Sequence, residues 1–175
     1  MLSVLTFFYV NFSAFHGDGS VVWLSPTGAC VVQRATHENN RVYQLQVPKA
    51  ALAEIETTLA KLGAESFAVN DRLGIPDEVR VRMGFRHGNG PLRRFEMWEH
   101  DLGKQAQQIR TLDEIARQLL ALTAKQRPTH EEVPPPAKLE IVRPKAFSPA
   151  DLDAALKYCT YSWPSSSTAR RVTVG

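Results

Sequence analysis

The stretch Glu78-Val79-Arg80-Val81-Arg82-Met83-Gly84-Phe85-Arg86 alternates apolar and charged side chains with a period of two. Val79, Val81, Met83 and Phe85 fall on one face, and Glu78, Arg80, Arg82 and Arg86 on the other, the pattern of a strand laid on a core. His87-Gly88-Asn89-Gly90-Pro91 then supplies turn residues, and Leu92 to Glu99 returns with Phe95 and Met97 on the core face and Arg94, Glu96 and Trp98 opposite. An isolated hairpin is marginal in water, so more strands and a cover must come from elsewhere in the chain.

Upstream, Leu2, Val4, Phe8, Val10 and Phe12 share one face of a strand, while Phe7 and Tyr9 make its other face apolar too. The turn around Gly17-Asp18-Gly19 leads into a second strand, Ser20 to Leu24, and Ser25-Pro26-Thr27-Gly28 into a third, Ala29 to Arg34. Arg41 to Val47 alternates with Tyr43, Leu45 and Val47 on one side, as a half-buried fourth strand does. Pro48 opens a helix in which Leu52, Ile55, Leu59 and Leu62 recur at helical spacing, and Gly63 closes it.

Downstream, a second amphipathic helix occupies part of 104–125 with Ile115, Leu119 and Leu122 as its stripe. Thr111-Leu112-Asp113-Glu114 matches a capping box, with an earlier start through Ala106 and Ile109 as the alternative. The composition changes at Arg127, and Pro134-Pro135-Pro136 marks a semi-rigid linker over 127–138. A short strand at Leu139 to Val142 and a helix opened by Ser148-Pro149, with Leu152, Leu156 and Cys159 along one side, form an arm over 139–163. The polar, basic residues 164–175 read as a flexible tail. The expected class is α+β. An antiparallel sheet of about six strands carries two amphipathic helices on one face, residues 1–126 form the domain, and the arm is joined through the linker.

The chain has 175 residues, 21 Lys and Arg against 18 Asp and Glu, and 43% hydrophobic residues, which excludes collagen-like, coiled-coil and wholly disordered classes. A net charge of +3 is too small to identify a dedicated nucleic-acid binder. No apolar run reaches the ~20 residues of a bilayer span, so no membrane partner is expected. The apolar first residues lack a basic leader and read as strand. Cys30 and Cys159 form no paired motif, which points to a reducing, cytoplasmic setting.

Two surfaces stand out as binding candidates. One is the sheet face with Arg80, Arg82, Arg86, Arg94 and Trp98, whose guanidinium groups suit carboxylates or phosphates and whose ring suits stacking. Its plainest reading is a face laced by cross-strand pairs with Glu96, ahead of an acidic protein partner and then nucleic acid. The other is the arm, whose apolar stripe must dock on something because a short helix is marginal alone. Leu152, Leu156, Tyr158, Tyr161 and Trp163 either cover the chain's own sheet or anchor a partner.

Chemistry is harder to find. His16, His87 and His100 stand at turns or strand ends, and Glu99 and Asp101 flank His100, without a metal-ligand spacing. Ser25 lies outside any nucleophile elbow, and Cys30 and Cys159 read as small buried hydrophobes. No catalytic, cofactor or metal site is expected. The expected function is a non-catalytic protein-binding module: an adaptor, an inhibitor or immunity-type protein, or a small subunit of an assembly. A nucleic-acid accessory protein and a small hydrolase or metal enzyme centred on His100 are the alternatives.

Overall fold

The computed structural model describes residues 2–13, 16–69, 78–135 and 140–157. Among them β1 (Phe7–Ser13), β2 (Asp18–Leu24), β3 (Ala29–Ala35), β4 (Asn40–Gln46), β5 (Arg80–Phe85), β6 (Arg93–Trp98) and β7 (His130–Glu132) make one sheet of seven strands, ordered β6-β5-β1-β2-β3-β4-β7. Every neighbouring pair is antiparallel. Strands β1 to β4 form a meander because short turns join them. The β5–β6 hairpin then adds to the free side of β1, after the chain has passed through α1 (Lys49–Gly63). The fold is therefore α+β, with one strand more than the periodicity predicts. The extra strand, β7, lies inside the proline-rich linker, where His130 to Glu132 pair with Asn40 to Val42. Its three polar residues carry no alternation of their own, and an edge strand needs little.

Both faces of the sheet are buried, as the double apolar pattern of β1 requires. Phe7, Tyr9, Val22, Leu24, Val32, Tyr43, Val81, Met83, Phe85 and Met97 face a core closed by Ile55, Leu59 and Leu62 of α1 and by Ile109, Leu112, Ile115 and Leu119 of α2 (Gln107–Ala121). The two amphipathic helices thus share one face. Helix α2 takes the earlier of the two expected starts. Thr111 is no cap but an interior residue, its hydroxyl donating to the Gln107 carbonyl one turn back at 2.9 Å. Pro48 stands at the cap of α1, one position before the first helical residue.

The opposite face holds Leu5, Phe8, Val10, Phe12, Val21, Trp23, Val31, Ala35 and Val42, and its cover is the arm. Phe147, Leu152 and Ala155 complete this second core, with Ile141, Val142 and Leu156 packed at its margin. Helix α3 (Pro149–Leu156) begins after Ser148 as expected, although Ser148 caps through its carbonyl, which accepts from Leu152 N–H, and not through its hydroxyl. Gly84 explains how β5 meets this face. It stands opposite Phe8 in the β1–β5 register, and a Cβ there would lie 2.2 Å from the Arg93 carbonyl oxygen and 2.5 Å from the Phe8 ring.

Candidate functional site

The two surfaces singled out by the sequence meet each other. Arg82 in β5 and Arg86 just past its end face α3, and Arg94 follows on β6 opposite Gly84. Arg86 forks onto Asp151 in the first turn of α3, with contacts of 2.8 and 3.3 Å, and the Leu5 N–H donates to the same carboxylate at 2.8 Å. At the other end of α3, Arg82 donates to the Leu156 carbonyl and Arg94 to the Lys157 carbonyl. Both ends of the helix are therefore matched in charge. A carboxylate sits at the positive N-terminus, and guanidinium groups receive the orphan carbonyls of the negative C-terminus.

Arg82 is only 2% exposed. A buried guanidinium costs several kcal/mol unless its donors are met, so seating it on a helix end fixes where that end lies. Arg80 behaves differently. Its Nε lies 2.7 Å from Glu96 Oε1 and its guanidinium stacks 4.4 Å from the Trp98 ring centre. The cross-strand pairing with Glu96 thus exists, but Arg80 makes it from a diagonal position, while Arg82, directly opposite Glu96 in register, turns to the arm. Trp98 is half-buried under Arg80.

Of the arm's expected contact residues, Leu152 is buried on the chain's own sheet and Leu156 packs beside it. Tyr158, Tyr161 and Trp163 lie outside the described residues, as does Cys159. Two residues the sequence reading passed over hold the arm's extended part. Gln33, 1% exposed in β3, donates to the Glu140 carbonyl at 2.9 Å and accepts from Val142 N–H at 2.8 Å, and the Trp23 indole donates to the Val142 carbonyl at 3.0 Å. One bridge, Ser3 to Phe147, ties the N-terminal segment to the arm. A glutamine in an otherwise apolar strand was the available signal for Gln33, because a buried amide must find partners. Asp151 signals itself only as an acid in a helix first turn.

Elsewhere the titratable groups are dispersed. His100 Nδ1 lies 3.1 Å from Glu78 Oε1, yet its ring is 73% exposed. Ser25 is fully buried, with its hydroxyl 2.9 Å from that of Thr27 and accepting from Ala29 N–H, so it builds the β2–β3 turn. Burial pushes the Cys30 thiol up to about 12. Tyr9 is likewise raised to about 12, by burial first and by the Asp113 carboxylate second. Among the described residues no group of three or more His, Cys, Asp or Glu side chains could hold a metal ion, and no helix is long and apolar enough to cross a membrane. The arrangement that does converge is cationic: guanidinium groups gathered around the end of α3, where the chain continues into Tyr158, Tyr161 and Trp163. Comparison of the chain with protein-family models, curated proteins and solved structures finds no match.

Proposed function

We propose that the chain is a non-catalytic protein-binding module, of the adaptor, inhibitor or small-subunit kind, that engages its partner at the corner where α3 ends on the arginine face. One observation carries this reading. The carbonyls of Leu156 and Lys157 at the end of α3 are held by Arg82 and Arg94, which fixes Lys157, the last described residue before Tyr158, Tyr161 and Trp163 in the sequence. A rigidly placed origin lowers the entropic cost of ordering an aromatic-rich segment against a partner. Aromatic and arginine side chains are also the residue types that dominate interface energetics. The apolar side of the arm, with Leu152 and Leu156, seats the element, and the residues after it make the contact.

The test is capture from native-source lysate by the full chain and by a variant with Tyr158, Tyr161 and Trp163 changed to Ala, each repeated after nuclease treatment. A discrete protein retained by the parent and lost from the variant is the expected result. Capture abolished by nuclease would replace this reading with the nucleic-acid one. No difference between parent and variant would refute it.

A further inference from the structure

We infer that the partner surface facing this corner is an acidic polypeptide segment, whose carboxylates pair with Arg94 and Lys157; the inference rests on the binding-module reading and adds its chemistry. Among the described residues around α3, three carboxylates are already engaged: Glu96 with Arg80, Asp151 with Arg86, and Asp153 with Arg143 at 2.6 Å. Arg94 and Lys157 are not so matched. Arg94 spends one terminal N–H on the Lys157 carbonyl, a neutral acceptor, and its Nε is buried with no hydrogen-bond partner. Lys157 is exposed, and no described carboxylate forms an ion pair with its ammonium or with the Arg94 guanidinium.

Residues 157–175 contain no Asp or Glu and add Arg170 and Arg171, so the composition there stays cationic. A guanidinium held in place by a backbone carbonyl is pre-oriented, and its remaining donors suit the two oxygens of a carboxylate. The geometry favours a polypeptide over nucleic acid. The unmatched cations, joined by the Arg94 contact to the Lys157 carbonyl, form a compact corner and not a stripe that tracks a phosphate backbone, and Trp98, further along β6, is already covered by Arg80.

The test measures binding of the full chain to poly-L-glutamate and to single-stranded oligothymidylate at low salt, for the parent and for the double variant Arg94→Glu, Lys157→Glu. The parent should bind poly-L-glutamate more tightly than the oligonucleotide, and the reversal should weaken that binding by about tenfold, the combined size of two reversed surface charges. Should the reversed variant fail to fold by circular dichroism, Arg94→Gln with Lys157→Gln replaces it and a smaller loss in the same direction is expected. Preference for the oligonucleotide, absence of poly-L-glutamate binding, or equal binding by parent and variant each overturns the inference. A native partner captured through Tyr158, Tyr161 and Trp163 but indifferent to Arg94 and Lys157 would overturn it too, while leaving the binding-module reading standing.

Discussion

Phe147→Ala tests whether the arm is a structural half of the second core. Phe147 is 1% exposed and packs in one cluster with Leu5, Phe8, Trp23 and Leu152, on a face that has no other described helix over it. Truncating a buried Phe removes its transfer free energy and leaves a cavity, a loss of about 3–5 kcal/mol. Against a total stability of about 5–15 kcal/mol that is a large fraction. The assay is urea unfolding followed by circular dichroism and by the emission of Trp23, in a Trp98→Phe, Trp163→Phe background so that only the buried indole reports. Because Trp23 donates to Val142 of the arm and lies beneath it, the two probes should move together to lower urea in the Phe147 variant. A chain ending at Gln126 should go further and bind a hydrophobic dye, since Leu5, Phe8, Val10, Val21 and Trp23 lose their cover. A loss under about 1 kcal/mol for Phe147→Ala, or a Gln126-terminated chain that melts like the parent without binding dye, would refute the argument that the arm completes the fold.

Two further outcomes follow from the geometry. Gly84→Ala should destabilise the chain by about 1–3 kcal/mol or prevent folding, because its Cβ would lie 2.2 Å from backbone oxygen on β6, which cannot give way as a side-chain tip can. An unchanged thermal midpoint would contradict that contact. Stability should also fall with rising alkalinity. The folded state holds the protons of Tyr9 and Cys30 up to about pH 12, whereas the unfolded groups ionise near their ordinary values of 10.0 and 9.0. The stabilisation is therefore complete below pH 9 and lost as pH climbs toward 12, at about 1.4 kcal/mol per pH unit for each group ionised only in the unfolded chain. Tyr9→Phe should flatten the loss above pH 10, and a slope identical to the parent's would show that Tyr9 is not held neutral by the fold.

The Arg86–Asp151 pair and the Gln33 amide show how this protein places charge and polarity between two apolar layers. Several polar groups on the second face locate the arm: Asp151 and Arg86 at the start of α3, Arg82 and Arg94 at its end, and Gln33 under the extended stretch before it. Apolar burial alone is non-directional and would allow the helix to slide. Hydrogen bonds at both ends select one position for α3 and for Lys157 after it.

Local pattern was enough for much of this architecture. The alternation from Glu78 to Arg86 named the core face of β5 correctly, Phe7 to Phe12 announced a strand buried on both sides, and the stripes of α1 and α2 identified two covers for one face. These features are legible because side chains three or four apart on a helix, or two apart on a strand, share a face whatever the rest of the chain does. The start of α2 was ambiguous because Thr111 satisfies a capping pattern equally well when its hydroxyl bonds back into the helix. Strand β7 was invisible, since its three residues pair only because β4 offers an open edge. The arginine face illustrates the limit most clearly. Sequence placed Arg80, Arg82, Arg86 and Arg94 on one side of a hairpin and the arm's Leu152 and Leu156 on one side of a helix. Only the tertiary structure decided that these two sides face each other, because that contact spans about sixty to eighty residues of chain and depends on where the proline-rich segment delivers α3, a long-range choice that no local periodicity encodes.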